Sequence, residues 1–301
     1  MRDSKFNRPK SFGEILDHTF RLSKTHFKDF FMVMLLFMGP VYLLQALIEL
    51  SSGVNFIRDM TVSENFSDIF MNLEDGSLET EIGAGDTVAG FLTIFLGPMV
   101  SGSILLMVDR IRKGEEFALK AIIKQTFSRY GGMLGSTLLF GLIVFAITFV
   151  VLIVWFVLIF VLVANADVLG FIIGILFILG AVIGFGLLFT RWSFYFGSVV
   201  FREGTPGFGR SWRLTKGRAW KTFGLYIVFI LIIMVITAVL EMTVGLVLGT
   251  SVLYSILTNI ALMFTTLIFS VGYAVMFFDL KIRHDADDLK DMIADYDEKT
   301  E

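Results

Sequence analysis

Six long stretches of the chain are continuously apolar, and most charged residues lie in the segments between them. About 20 helical residues are needed to cross roughly 30 Å of hydrocarbon, and each stretch reaches that length. The stretches lack the alternation of apolar and polar residues that a membrane β-strand shows, so we expect helices. The sequence therefore predicts an all-α membrane protein with six transmembrane helices, at 29–50, 87–108, 134–163, 169–190, 223–247 and 253–278.

Shorter amphipathic segments precede the first, third and fifth apolar stretches. They align on Phe12, Phe117 and Phe208, and each places apolar side chains at helical spacing beside cations. Ser11 and Glu14 form the Ser-x-x-Glu pattern of a capping box at the start of the first segment. Basic amphipathic helices of this kind lie in the headgroup region of a bilayer. We therefore predict three repeats, each an interfacial amphipathic helix plus a helical hairpin.

The composition supports a membrane protein and narrows its chemistry. Hydrophobic residues make up 55% of the chain, charged residues 18%, and the mean hydropathy is +0.78, which a water-soluble globule of this size would not tolerate. The absence of cysteine excludes disulfides and thiolate metal sites. The first 28 residues are too polar to contain the apolar core of a cleavable signal peptide, so we expect them to remain in the mature protein.

The distribution of cations predicts the orientation. Lys and Arg concentrate in the connectors 109–133 and 202–222, whereas the loop 51–86 holds one cation, Arg58, among many acidic residues. Cations near helix ends are retained on the cytoplasmic side, so we predict a bacterial plasma-membrane protein with both termini in the cytoplasm. The resulting organisation has three parts: a cytoplasmic N-terminus at 1–28, a six-helix domain at 29–280 and an acidic cytoplasmic tail at 281–301.

Two polar residues inside the last hairpin are candidates for an intramembrane site. Glu241 and Asn259 lie about equally far from the turn between the fifth and sixth stretches, which places them at similar depth. A charge exposed to hydrocarbon costs roughly 3 kcal/mol or more, so such residues are functional candidates. Protonated Glu241 could donate to Asn259, or ionised Glu241 could line a wet cavity for a cation or an amine. The alternative is a hydrogen bond that only joins two helices.

A Phe-x-Gly-Pro motif occurs near the middle of each of the first two stretches, ending at Pro40 and at Pro98. Each proline removes a helix donor and frees a carbonyl, so two kinked neighbours could form the interrupted midplane site of a transporter. Local kinking or close helix packing is the alternative, because Pro and Gly are frequent in membrane helices.

Several residues are candidates for contacts at the inner membrane interface. Arg191 and Trp192 end the fourth stretch, where an arginine can extend to the phosphates or bind a lipid headgroup. Lys120, Lys124, Arg210 and Arg213 belong to the amphipathic segments and predict contact with anionic lipids. Simple anchoring of the cytoplasmic side, or docking of a membrane or cytoplasmic protein partner, are the alternatives.

The sequence contains no recognisable catalytic constellation. His18, His26 and His284 are scattered without metal-ligand spacing, and phosphate-binding, nucleophile-elbow and dinucleotide motifs are absent. We therefore expect no enzyme activity, no catalytic residues, no metal, no cofactor and no nucleic-acid partner.

Three cytoplasmic stretches together carry a family resemblance: Pro9-Lys-Ser-Phe-Gly-Glu-Ile-Leu16, Arg202-Glu203 with Arg210-Ser-Trp-Arg-Leu-Thr-Lys-Gly-Arg218, and Phe278-Asp-Leu-Lys-Ile-Arg283. The chain resembles the six-span bacterial proteins named for the membrane domain of glycerophosphoryl diester phosphodiesterase. Some members of that family join this membrane part to a phosphodiesterase barrel, and many stand alone. The resemblance implies a stand-alone member without phosphodiesterase activity, and it supplies no catalytic positions.

We therefore predict a non-enzymatic accessory or scaffold subunit of the cell envelope or of a transport system. The alternative is a small transporter or lipid-handling protein that uses the kinked helices one and two and the Glu241 region. A continuous polar cavity that reaches Pro40, Pro98 or Glu241 from one side would favour this alternative, whereas a dry, fully packed bundle would favour the accessory role.

Overall fold

The computed structural model describes residues 8–57, 83–165, 168–249 and 251–298, and the regular structure in these ranges is helical throughout. Most of the predicted outer loop lies outside the described residues. The helices are α1 (Phe12–Thr25), α2 (Phe27–Ser51), α3 (Ala84–Lys113), α4 (Leu119–Phe127), α5 (Tyr130–Asn165), α6 (Val168–Trp192), α7 (Tyr195–Val200), α8 (Phe208–Leu214), α9 (Ala219–Leu248) and α10 (Val252–Glu298).

Six segments of the described chain are long and apolar enough to cross a membrane, which confirms the all-helical prediction and favours a multi-pass membrane protein. They are Phe27–Ser51, Ala84–Lys113, Tyr130–Val157, Gly174–Val200, Ala219–Gly245 and Val252–His284. The core lies where α2, α3 and α10 pack together, with fully buried side chains such as Phe30, Ile104 and Phe277. The hairpin of α5 and α6 contributes less to this core, and the most apolar part of α5 contains no buried residue.

A short helix precedes each hairpin, as the amphipathic segments predict: α1 before α2, α4 before α5 and α8 before α9. The capping box of α1 is present, because the Ser11 N–H donates to Glu14 Oε2 over 2.7 Å and the Glu14 N–H donates to Ser11 Oγ over 3.4 Å. Hydrogen bonds from the Ser11 backbone N–H and from the Ser11 side chain lower the pKa of the Glu14 carboxyl. At α8, Gly207 has φ +86° and a Cβ there would lie 2.5 Å from the Tyr195 carbonyl oxygen, so the start of this helix requires glycine.

The last two predicted parts of the chain form one element. We expected a span ending near 278 and a separate acidic tail from 281, but α10 continues without a break to Glu298. No Gly or Pro interrupts residues 273–298. In addition, Arg283 Nε donates to Asp279 Oδ2 over 2.7 Å, an i,i+4 pair that supports the helix where it leaves the apolar region.

The fourth predicted span, 169–190, agrees with α6, and the helix is broken just after it. α6 ends at Trp192, Ser193 and Phe194 form a turn, and α7 begins at Tyr195. Ser193 Oγ donates to the Thr190 carbonyl over 2.9 Å, a side-chain bond to the preceding turn of the kind that bends helices. The break lies within the apolar segment Gly174–Val200 and therefore at membrane depth in a spanning orientation.

Candidate functional site

A cavity of about 720 Å³ lies between α3, α5, α10 and the break between α6 and α7. None of the residues that line it is acidic or basic, and apolar side chains form most of its wall. Hydroxyl groups are distributed around this wall, from Ser101, Thr137, Ser193, Tyr195, Ser270 and Tyr273. Such a cavity suits a ligand that is largely apolar and carries a few hydrogen-bonding groups.

The Ser211 hydroxyl bonds to one pair of backbone groups at the break between α6 and α7. The Phe194 N–H donates to Ser211 Oγ over 3.0 Å, and Ser211 Oγ donates to the Arg191 carbonyl over 2.7 Å. Ser211 is fully buried and belongs to α8, so this short helix contacts the break. Without this hydroxyl, a backbone donor and a backbone acceptor would be left unsatisfied in a nonaqueous environment.

The Tyr273 hydroxyl bonds to a second pair of backbone groups at the same break. The Gly197 N–H donates to the Tyr273 hydroxyl over 2.9 Å, and that hydroxyl donates to the Ser193 carbonyl over 3.2 Å. These two backbone groups are an i,i+4 pair, which would bond directly in a continuous helix. Tyr226 adds a bond of 3.0 Å from its hydroxyl to Ser193 Oγ. The break is therefore a fixed feature of the fold, held by side chains from α8, α9 and α10.

The cavity opens onto the apolar outer surface of the protein. Leu142 and Phe145 of α5 line it while 64% and 67% of their surface is exposed, and Ile94 of α3 lines it with 49% exposed. In a bilayer this surface faces acyl chains, because a lipid-facing helix surface is apolar. A ligand would accordingly enter from the hydrocarbon layer.

Of the two Phe-x-Gly-Pro motifs, the structure brings one to this cavity. Pro98 is buried and lines the cavity together with Gly97, whereas Pro40 is exposed on α2 and is not among the lining residues. Both prolines lie inside continuous helices that pack against each other. The paired interrupted site that the two motifs suggest is thus replaced by a site next to Pro98 and the break between α6 and α7.

Asn259 bonds to α2, not to Glu241. Its Nδ2 donates to Gln45 Oε1 over 3.0 Å, and Gln45 Nε2 donates to Glu49 Oε1 over 3.0 Å and to Asp86 Oδ1 over 2.9 Å. The Glu241 side chain is exposed on α9. Sequence reasoning missed Gln45, although a buried amide in an apolar helix is a signal for an interhelical bond. A functional role of Glu241 stays a prediction.

Some of the predicted interface residues are exposed, and others contact side chains of a neighbouring helix. Lys120, Lys124 and Arg213 are exposed, as lipid-contacting cations would be. Arg191 lies with its guanidinium carbon 4.6 Å from the centre of the Trp212 ring, which is a cation–π contact between α6 and α8. Trp192 packs against the same helix, with its ring 6.2 Å from that of Phe208.

Arg210 belongs to an ionic cluster that joins three parts of the chain. Glu203 accepts from Arg210 Nε over 3.2 Å and also from Lys281 Nζ of α10. Nearby, the Lys10 N–H donates to Asp279 Oδ1 over 2.7 Å, and Arg283 Nη2 donates to the Lys10 carbonyl over 2.5 Å. The three stretches that carry the family resemblance therefore meet in space, and their charged residues bind one another.

Arg129 anchors the far end of α7. Its Nη1 donates to the Val200 carbonyl, the last residue of that helix. Burial lowers the pKa of the Arg129 guanidinium, and the neighbouring Arg202 lowers it further. The short helix α7 is thus fixed at both ends, by Tyr273 at the break and by Arg129 at the connector.

The described residues contain no group of three or more His, Asp or Glu side chains arranged to hold a metal ion. A family model described as a domain of unknown function, DUF7847, matches residues 30–280. No curated protein and no solved structure matches the chain. These comparisons show no link to the membrane domain of glycerophosphoryl diester phosphodiesterase.

Proposed function

The chain belongs to the DUF7847 family, whose function is unknown, and we propose that it is a multi-pass membrane protein that binds and handles membrane lipids. The observation that carries this proposal is the uncharged, hydroxyl-bearing cavity at the helix break, which opens onto the apolar surface. This cavity reaches Pro98, and its mostly apolar wall differs from the continuous polar cavity expected of a transporter, so we place lipid handling ahead of the accessory role. The proposal includes no catalytic step.

The lining of the cavity selects the class of ligand. An acyl chain can contact the apolar side chains of α3 and α5 and would there lose little of its favourable environment. Glycerol hydroxyls or ester oxygens of the lipid can bond to the hydroxyls of Ser101 and Ser270. An ion or a charged substrate would have to lose its hydration without an opposite charge in the wall, which costs several kcal/mol.

The test uses glycines that line the cavity. Gly97 and Gly141 both have open space where a Cβ would lie, so Gly97→Leu and Gly141→Leu narrow the cavity without a clash at the Cβ. Gly180 on α6 has the same open space and does not line the cavity, which makes Gly180→Leu the matched control. The full chain is reconstituted with a phospholipid that carries a photoreactive group on its acyl chain, and labelled peptides are identified.

We expect labelling of α3 and α5 residues around the cavity in the wild type and the control. We expect about tenfold less labelling in the two cavity variants, since the added leucine side chains exclude the acyl chain. Equal labelling of all four proteins at these residues would refute the proposal.

A second candidate is the accessory or scaffold role. The observation that favours it is the hairpin of α5 and α6, whose apolar length is covered little by the rest of the chain and offers a surface to another membrane protein. Purification from native membranes under mild conditions, followed by identification of bound proteins, should give a partner in fixed proportion. A protein that purifies alone with bound lipid would support lipid handling instead.

We also propose the finer topology predicted from the sequence: a bacterial plasma membrane, both termini in the cytoplasm, and three repeats of interfacial helix plus hairpin. This is supported by the clustering of α1, α8 and the cytoplasmic half of α10, whose ionic groups bond at one end of the bundle. The bonds among Gln45, Asp86 and Asn259 lie toward the other end of α10.

A further inference from the structure

A second, smaller cavity of about 250 Å³ lies where α1 meets α9 and α10. Its floor is apolar, formed by residues such as Ile15, Leu225 and Met276. Its remaining wall is strongly basic, with Lys10, Arg218, Lys221 and Arg283. It shares no lining residue with the cavity at the helix break.

The charges of this pocket do not cancel. Four basic residues line it, against one carboxylate, that of Asp279. Asp279 is already engaged, because it accepts from the Lys10 N–H and from Arg283 Nε, each over 2.7 Å. Arg218 and Lys221 form no ion pair with any other residue that the structure describes. The pocket therefore has an excess of positive charge that an anion would neutralise.

The pocket lies at the depth of the lipid headgroups in a spanning orientation. α1 is amphipathic, and its Phe12, which lines the pocket, is 41% exposed. Trp220, between the two cations at the start of α9, is 66% exposed. Exposed aromatic residues at the end of an apolar helix mark the membrane interface, and α9 contains no charged residue after Lys221 as far as Leu240.

We propose that this pocket binds the phosphate of an anionic membrane phospholipid. Arg218 and Lys221 contact the phosphate oxygens, since a guanidinium offers two parallel N–H donors to a phosphate and an ammonium adds a point charge. The apolar floor receives the first carbons of the acyl chain. Bound there, the lipid joins the N-terminal segment to α9 and α10. This inference does not rest on the proposed function, because it concerns another pocket and another part of the lipid.

The experiment compares two pairs of neutralised cations in the full chain. Arg218→Gln with Lys221→Gln removes two charges from the pocket, and Lys120→Gln with Lys124→Gln removes two exposed charges from α4 as the matched control. Each protein is placed in lipid nanodiscs of phosphatidylcholine with increasing phosphatidylglycerol, and bound lipid is counted by native mass spectrometry.

We expect the pocket variant to lose about tenfold or more in affinity for phosphatidylglycerol, since both of its cations would contact the phosphate directly, whereas the control cations attract the membrane surface only in general. The control should lose at most a few-fold. An equal loss in both variants would overturn the site and indicate general surface attraction. If the double variant unfolds, Lys221→Gln alone provides the same comparison against Lys124→Gln, because both side chains are exposed.

Inorganic phosphate distinguishes a soluble anion from a lipid. It is added to the wild type in nanodiscs of phosphatidylcholine alone, and its binding is measured by calorimetry. We expect no saturable binding, because the apolar floor contributes only with a lipid. Saturable phosphate binding that the pocket variant loses would assign the pocket to a soluble anion and overturn the lipid assignment. A Gly141→Leu protein that loses acyl-chain labelling but binds phosphatidylglycerol normally would show that the two cavities bind lipid independently.

Discussion

Close contacts between glycines and aromatic rings hold several helices together at the residue scale. A Cβ on Gly197 would lie 2.6 Å from the Phe277 ring, one on Gly186 would lie 2.4 Å from the Phe223 ring, and one on Gly272 would lie 2.7 Å from that of Phe229. Small residues let membrane helices approach closely, and the ring then fills the space beside the missing side chain. Substitutions at these glycines test the packing of the helices directly.

Gly197→Ala should destabilise the protein by about 1–3 kcal/mol, because the fully buried Phe277 ring cannot move aside without disturbing the core. Thermal unfolding in the same detergent measures this. Gly135→Ala is the control, since a Cβ there meets nothing within 4 Å and alanine favours a helix. A Gly197→Ala protein as stable as this control would contradict the described contact between α7 and α10.

Gln45→Leu should cost about 1–3 kcal/mol, because it removes the amide that bonds to α3 and α10 and leaves the Asn259 amide without this acceptor. Glu241→Gln should leave the stability unchanged, because the Glu241 side chain is exposed. Unfolding of the two variants under one set of conditions gives the comparison. A large loss for Glu241→Gln with none for Gln45→Leu would restore the pair of Glu241 and Asn259 as the interhelical bond.

Titration of Glu14 tests the start of α1. The hydrogen bonds from Ser11 lower the pKa of the Glu14 carboxyl from its ordinary value of 4.5, so their contribution to stability is complete above 4.5 and is lost as the pH falls through the lowered pKa. Nuclear magnetic resonance of a labelled Glu14 carboxyl should show a midpoint below 4.5 that rises in Ser11→Ala. An unchanged midpoint in this variant would show that the Ser11 side chain does not lower this pKa, and would leave the bond from the Ser11 backbone N–H as its cause.

At the scale of elements, the apolar stretches predict the helices well. The features that they do not predict, the break after Trp192 and the partner of Asn259, both depend on contacts between helices. The six spans follow from local composition, which the sequence displays directly. The break after Trp192 depends on the Ser211 and Tyr273 hydroxyls, which come from helices far along the chain. The residues 169–201 contain no proline that would announce it. Likewise, the similar depth of Glu241 and Asn259 suggested that these residues bond to each other, but depth does not determine which face of a helix a side chain occupies.

Tyr273→Phe should destabilise the break between α6 and α7, because the Gly197 N–H and the Ser193 carbonyl lose the hydroxyl that bonds to both. We expect a loss of about 1–3 kcal/mol in thermal unfolding, the cost of unsatisfied buried backbone groups. The control Tyr226→Phe removes only a bond between two hydroxyl groups and should cost less. If Tyr226→Phe costs more, the Tyr273 hydroxyl does not support the backbone at the break.

At the scale of the whole molecule, the cavity and the ionic cluster arise from the packing of elements that are distant in the sequence. The cavity is formed by four separate parts of the chain, so no local pattern could predict it, although Pro98 pointed to one wall. The three stretches with the family resemblance were visible in the sequence, but their meeting depends on the arrangement of α1, α8 and α10. The cations near them also predict which end of the bundle faces the cytoplasm.

Accessibility labelling tests this sidedness, and the absence of native cysteine makes single substitutions sufficient. Lys124→Cys and Arg213→Cys place thiols at exposed positions of the cationic end, and Ser52→Cys places one at the exposed opposite end. A maleimide that cannot cross membranes should label Ser52→Cys in intact cells and should label the other two only after the cells are opened. The cations keep their end inside because translocating them is unfavourable, so labelling of Lys124→Cys in intact cells would require an inverted protein. In that case the basic pocket at Arg218 and Lys221 would also face outward, and its phospholipid would have to come from the outer leaflet.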